Sequence, residues 1–414
     1  ICTAKSSLPS FSCFEDVAGN GSTLTNCNRT DRIMVAFGVP KLVILALVFV
    51  LTTPPDVCVR AERVVCSFWS SSGASTRVGE YSIPLNDIPT GLCTHVTFYY
   101  IEMTYESHEL IIPDPKTDNE WQMFLDLKRT NPEIKLVIII VPRLVMRFMT
   151  VHDKRKNLVE SIVKNVETLN LDGVELFWSG DGLLREEGFM RLVEELKSHL
   201  VEAGRPECEV SVLVELDKKS IDHEELCSIA DYVHVLGNAE RRPEYRGPDK
   251  KPIANALFDM DEVEGLTLEQ AVQFWIDSKC PASKMALATV FPAQVYSMAN
   301  AKESGQGDDL NGLCLLRNDT SYCGYIEFCQ LLKDGEWNVE WDDTEGFLQH
   351  ATQGDRWVSF ESVASMERKG ELARTKGLAG VYAVSLDKDD YLGKCGTVYP
   401  LTKALRRSFL QTMN

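Results

Sequence analysis

The stretch LNLDGVELFWSGDG, residues 169 to 182, sets three side chains of different chemistry at alternate positions: Glu175, Phe177 and Ser179. Alternate side chains of a β-strand share one face, so a strand ending in the polar SGDG turn presents these three together. A general acid would be placed at the end of such a strand, where Ser179 stands. A serine hydroxyl is too weakly acidic to protonate a leaving group near neutral pH, and general acid catalysis typically supplies about 10²- to 10⁴-fold. Phenylalanine at 177 neither accepts a proton nor orients an amide. Asp181 shares the parity but lies past the turn, where an acidic side chain is more often solvated or caps a helix. Glu175 reads as a hydrogen-bonded or protonated interior residue more than as a base.

Other chemistries find little support. The seven histidines show none of the H-x-x-x-H or His/Cys spacings of a metal site. No Gly-rich phosphate loop precedes a helix, so neither metal nor cofactor is expected. The 414 residues carry a formal net charge of −18, and no clustered Lys/Arg face reverses it, which argues against a nucleic-acid or anionic-membrane partner.

The elements that must position residues 175 to 179 are legible as a rhythm. Short β-branched runs at 63–69, 93–101, 134–141, 171–178, 208–216, 231–237, 284–291 and 378–386 alternate with amphipathic stretches such as RKNLVESIVKNVETL and EEGFMRLVEELKSHLVEAG. Near-continuous apolar runs suit parallel strands covered on both faces. Eight strands alternating with helices predict a (β/α)8 barrel, with a doubly wound open sheet as the rival. The interval 292–358 breaks the rhythm with turn-rich, cysteine-bearing and aromatic sequence, and is read as a small α+β insertion after the seventh strand.

At the amino end, residues 34–61 combine Lys41, an apolar run from Leu42 to Leu51 and a Pro-containing breaker. This pattern predicts a secretory signal peptide; ten apolar residues are too few for a span of about 20. Residues 1–33 are then an upstream or non-native extension, and 62–414 the mature, still acidic, chain. Nine cysteines fall within it: Cys66, Cys93, Cys208, Cys227, Cys280, Cys314, Cys323, Cys329 and Cys395. Scattered without C-x-x-C units in a secreted chain, they suggest disulfides more than zinc, with one left over. Cys314 and Cys323 are close enough for a local bridge. Asn318, in NDT, is the sequon expected to be glycosylated.

Several segments in order resemble glycoside hydrolase family 18, the chitinases and chitinase-like proteins: LCTH at 92–95, FCQLLKDGEWNVEWDD, GDRWVSFESVASMERKGELARTKGLAGV, SLDKDDYLGKCG and YPLTKAL. The likeness spans residues 63 to 408. The family's fourth-strand signature resembles D-G-x-D-x-D-x-E and maps without gaps onto Asp172 to Ser179. The resemblance implies three inward carboxylates in active members: the last protonates the glycosidic oxygen, and the middle one orients the substrate's own acetamido group, which attacks the sugar. Here Glu175, Phe177 and Ser179 take those places.

Other positions that the resemblance places around the cleft have drifted too. A G-G-W-like turn becomes Val141, Pro142 and Arg143; an M-T-Y-D pattern falls on Ala239, Glu240, Arg241 and Arg242; and the Trp that floors the sugar site becomes Val384. Cleft candidates are Phe98, Tyr100, Trp178, Arg143, Arg241 and Tyr382. The resemblance also implies Cys66 bonded to Cys93 and Cys329 to Cys395, leaving one thiol among Cys208, Cys227 and Cys280. The expectation is a secreted, catalytically inactive chitinase-like protein, a soluble signalling, growth-promoting or host-interaction factor with a protein or receptor partner. The alternatives are a chitin or chito-oligosaccharide lectin, and an active chitinase using displaced residues.

Overall fold

Each of the eight β-branched runs forms a strand: β1 (Arg63–Trp69), β2 (His95–Met103), β3 (Lys135–Ile140), β4 (Gly173–Trp178), β5 (Glu209–Glu215), β6 (Tyr232–Leu236), β7 (Met285–Val290) and β8 (Gly380–Val384). The computed structural model describes residues 63–69, 88–89, 91–141, 150–178, 183–215, 221–237, 268–291, 293–297, 322–342, 348–354 and 356–411. Neighbouring strands pair in parallel around the whole circuit, and β8 closes onto β1 through Arg63 opposite Gly380 and Val65 opposite Tyr382. The sheet is a closed barrel, which excludes the open-sheet alternative. Gly380 is required by the closure, since a Cβ there would lie 2.3 Å from the Arg63 carbonyl oxygen.

The helices covering the barrel are α1 (Asn119–Thr130), α2 (His152–Leu169), α3 (Leu183–Glu202), α4 (His223–Ile229), α5 (Leu268–Asp277), α7 (Val363–Thr375) and α8 (Pro400–Leu410); α6 (Tyr325–Asp334) belongs to the insertion. Three of their starts are written in short polar side chains that take up otherwise unpaired backbone N–H groups. Asp118 accepts from Trp121, Asp222 from Glu225 and Ser362 from Ser365. Asp389 does this for α8 from a distance in sequence: its buried carboxylate accepts from the Leu401 and Thr402 amides and the Thr402 hydroxyl. The last two helices meet at Gly370, where a Cβ would fall 2.0 Å from the Ser408 hydroxyl.

The amino-terminal end of the barrel is tied by a repeated device. The residue just before β2, Thr94, accepts from the Val64 amide at 2.9 Å. Asp172, just before β4, accepts from Leu136 at 2.7 Å, and Asp231, just before β6, from Val210 at 2.9 Å. Each bond locks the register of adjacent strands at their first turn of pleat.

After β7 the chain builds an antiparallel sheet from Ala293–Ser297, Tyr322–Cys323, Asn338–Asp342, Leu348–Gln353 and Arg356–Phe360. Helix α6 covers it, and Ala293, Cys323, Phe328, Ala351, Val358 and Phe360 form a separate small core. The last strand runs to Phe360, two residues past the expected end of the insertion.

Disulfides join Cys66 to Cys93, Cys329 to Cys395 and Cys227 to Cys280. The second ties α6 of the insertion to the loop after β8. Cys208 is the reduced cysteine among the described residues, and burial pushes its thiol up to about 12. Cys323 is also disulfide-bonded, while Cys314, its expected partner, lies outside the described residues, as do segments 1–33 and 34–61. Among the described residues no helix is long and apolar enough to cross a membrane.

Candidate functional site

Alternate side chains of the eight strands point into the barrel, and the strand tilt stacks them in layers of four drawn from every second strand. One layer consists of Thr97 from β2, Glu175 from β4, His234 from β6 and Tyr382 from β8, all buried. These side chains are joined in a row. The Thr97 hydroxyl and the Tyr382 hydroxyl lie 2.7 Å apart, Tyr382 donates to Glu175 Oε2 at 2.9 Å, and His234 Nδ1 bonds Glu175 Oε1.

Beneath this layer Arg63 rises from the first position of β1. Its Nε donates to His234 Nε2 at 3.1 Å and its Nη1 to His95 Nε2 at 2.9 Å. Both Nη groups also donate to Glu209. Gly173 and Gly380, inward positions at this level on β4 and β8, contribute no side chain, and the Tyr232 ring packs 4.2 Å from the guanidinium carbon.

Donor chemistry fixes the tautomers. Guanidinium has only donors, so both imidazoles accept at Nε2. His234 therefore carries its proton on Nδ1 and gives it to Glu175. His95 carries its own on Nδ1, 2.8 Å from Thr94 Oγ1; that hydroxyl already donates to the Val64 carbonyl, so it accepts from the ring.

The electrostatics follow from burial and this pairing. Burial, with the Arg63 charge, lowers His95 below its ordinary 6.5. Burial alone would raise Glu209, but the adjacent His95 ring, its Nε2 3.6 Å away, and the Arg63 guanidinium, bonded to both oxygens, outweigh it and hold the carboxyl at about 2. Tyr382 is pushed well above 10.0 by burial and by the neighbouring Glu175. Glu175 is thus a structural acceptor, sealed from solvent and engaged on both oxygens.

Two residues further along the same four strands the layer is Tyr99, Phe177, Leu236 and Val384. Phe177 is 8% and Val384 5% exposed, and they pack with Ile139, Leu213 and Ala288. This is the mouth of the barrel; none of the layer's four side chains is a carboxylate, while Glu215, next after Leu213 on the inward face of β5, stands in register with Leu236. At the rim the half-buried rings of Trp69 and Tyr99 stack with centroids 4.6 Å apart, and the Trp69 backbone donates to Asp387 at 3.2 Å.

The structure redistributes the residues singled out from sequence. Asp172 stands at the opposite end from the mouth, bonded to the Leu136 amide and paired with Lys128 at 2.7 Å. Phe98 and Trp178 do not line the cleft. They have the wrong parity and point outward into the layer between strands and helices, Phe98 against Trp121 and Trp178 against Phe189. Tyr382 does point inward, but it is buried one layer below the mouth as a partner of Glu175. Ser179, Arg143, Arg241, Asn318 and the side chain of Tyr100 lie outside the described residues. The aromatic pair at the rim, Trp69 and Tyr99, was not anticipated, although the alternation that places Glu175 and Phe177 inward also selects both of them.

Comparison with known proteins accords with this architecture. The family model described as glycosyl hydrolases family 18 matches residues 63–389. The Manduca sexta endochitinase is 26% identical over 379 residues, covering 83% of this chain and 67% of its own length. Homo sapiens chitinase-3-like protein 2 is 25% identical over 370 residues, covering 84% and 93%. The structure of human YKL-39, described as a pseudo-chitinase with retained chitooligosaccharide binding properties, superposes with a TM-score of 0.70 at 22% identity, covering 84% of this chain and 99% of its own.

Proposed function

The chain belongs to glycosyl hydrolase family 18, and from that premise we propose that it is a non-hydrolytic member, a secreted soluble factor whose role is signalling, growth promotion or host interaction. The observation that supports this reading is the mouth layer. Phe177 occupies the position of the carboxylate that would orient an acetamido group, inside an apolar cluster with Val384, and Ser179 takes the place of the acid. The one inward carboxylate left in the motif, Glu175, is bonded to His234 and Tyr382 and does not reach a substrate. Overnight incubation of the purified chain with a chromogenic chito-oligosaccharide tests the reading: no release above the blank is expected, and sustained turnover contradicts it.

A second reading, a chito-oligosaccharide lectin, is favoured by the stacked Trp69 and Tyr99 rings at the rim. Sugar rings bind on aromatic faces, and human YKL-39 is described as retaining chitooligosaccharide binding. A glycan array separates the two: selective binding of N-acetylglucosamine oligomers, abolished by Trp69→Ala, would favour the lectin.

Secretion is supported by three disulfides, which persist in oxidising compartments. It carries a further expectation, that Asn318 is glycosylated in a eukaryotic host. Deglycosidase treatment should increase gel mobility; unchanged mobility would count against it.

A further inference from the structure

We propose that the Arg63 cluster at the lower end of the barrel is an acid-operated latch. In its neutral-pH state Arg63 holds β1 to β2 through His95, to β5 through Glu209 and to β6 through His234. Two of these three attachments require an unprotonated imidazole nitrogen. A proton arriving at His95 Nε2 turns that acceptor into a donor, breaks the 2.9 Å bond and sets two cations in competition for the single Glu209 carboxylate, whose Oε2 lies 3.6 Å from that nitrogen. The same event at His234 would break its bond to Arg63 and disturb Glu175 and Tyr382, directly below the mouth layer.

The groups facing the two imidazoles define which way the device runs. Arg63 comes from β1, Glu175 from β4, Glu209 from β5 and Tyr382 from β8, while β7 offers Ala286 and no charge. Lys135 on β3 is turned to Asp172 at the lower end of the barrel. Glu209 stays ionised until about pH 2, so it does not release Arg63 in mild acid. His95 is lowered, because neutral imidazole is what the fold selects. The unfolded chain therefore binds more protons at this residue, and its contribution to stability, present above about pH 6.5, is lost as pH falls through its lower folded value.

Asp389 runs in the opposite sense. Burial raises its carboxyl to about 6 against the hydrogen bonds that favour ionisation, so its contribution is full below the ordinary carboxyl range and lost as pH rises through about 6. Loss of stability on acidification through pH 6 to 4.5 is thus contrary to Asp389 and assigned to His95.

The test is the melting temperature of the full mature chain from pH 7.5 to 4.5, alongside His95→Gln. Glutamine places an amide oxygen where it can still accept from Arg63, and it cannot be protonated. The wild type should lose about 4 °C or more across this range, where about 1 kcal/mol corresponds to 2–4 °C, and the variant should lose less than half as much. Equal losses would overturn the proposal. Where the variant does not fold, ¹⁵N-histidine spectra of the wild type decide. His95 should show the Nδ1–H tautomer at pH 7.5 and protonate only below the ordinary histidine range, together with a change at Tyr382. Protonation in the ordinary range with every other signal unmoved would overturn it.

Discussion

Two layers of the same barrel, made by the same four strands two residues apart, differ in almost every physical respect. Thr97, Glu175, His234 and Tyr382 form a sealed, hydrogen-bonded row resting on the Arg63 cluster. Tyr99, Phe177, Leu236 and Val384 form an apolar floor open to the mouth. The lower layer has a job no hydrophobic replacement of one member can do, because each polar group there satisfies another. The upper layer is free of that constraint, so the side chains that would do chemistry can be exchanged for packing without disturbing the scaffold. The polar side chains of the lower layer hold one another in place, whereas the side chains of the upper layer are held by packing.

The largest expected difference between the two layers is in stability. Arg63→Met leaves the Glu209 carboxylate and two imidazoles without their common donor, and breaking a buried charge pair from one side typically costs about 3–5 kcal/mol. Urea unfolding at pH 7 should show a loss of that size; a loss under about 1 kcal/mol would mean the cluster is solvated and the contrast is false.

The pH dependence of Glu209 should be nearly as large. With its carboxyl held at about 2 rather than 4.5, its contribution, on the order of 3 kcal/mol, is present above about pH 4.5 and vanishes as pH falls through about 2. The stability gap between wild type and Glu209→Gln should therefore close between pH 5 and 2. A constant gap would place the effect in packing.

Tyr382→Phe removes one of the donors to Glu175 and should cost about 1–3 kcal/mol, read from the same unfolding curves. In the upper layer Phe177→Leu replaces one apolar side chain by another at a site partly open to the mouth, and should cost under about 1.5 kcal/mol. If Phe177→Leu proves more damaging than Tyr382→Phe, the mouth is the better-packed layer and the comparison must be reversed.

Much of this was written in the sequence, for identifiable reasons. Buried parallel strands produce apolar runs that declare themselves, and all eight runs lie in the barrel, with ends that agree to within two residues. Alternation placed Glu175 and Phe177 on one inward face. The same alternation, applied to β2 and to Trp178, would have turned Phe98 and Trp178 outward and drawn attention to Trp69 and Tyr99; choosing aromatic residues by type alone hid this. The Arg63 cluster was not legible. Its bonds span 146 residues to Glu209 and 171 to His234, and only barrel closure brings β1, β5 and β6 to one point. Nothing local distinguishes Arg63 from a surface arginine, and the two glycines that accompany it at the lower end read as turn residues until the register is known.

The central claim is that the mouth was remodelled as a unit, and Ser179→Glu tests it most directly. An acid restored at the strand's end helps only when a sugar is held with its glycosidic oxygen about 3 Å away. Phe177 would still stand in place of the orienting carboxylate, and Val384 would still offer no aromatic floor. Defects within one catalytic unit are far from additive, so repairing one recovers little. The measurement is turnover of a fluorogenic chitobioside by Ser179→Glu, beside the triple variant that adds Phe177→Asp and Val384→Trp. The account predicts no turnover by the single variant above the wild-type blank. Clear turnover by the single variant would contradict it, showing a cleft still competent for hydrolysis and missing only its acid.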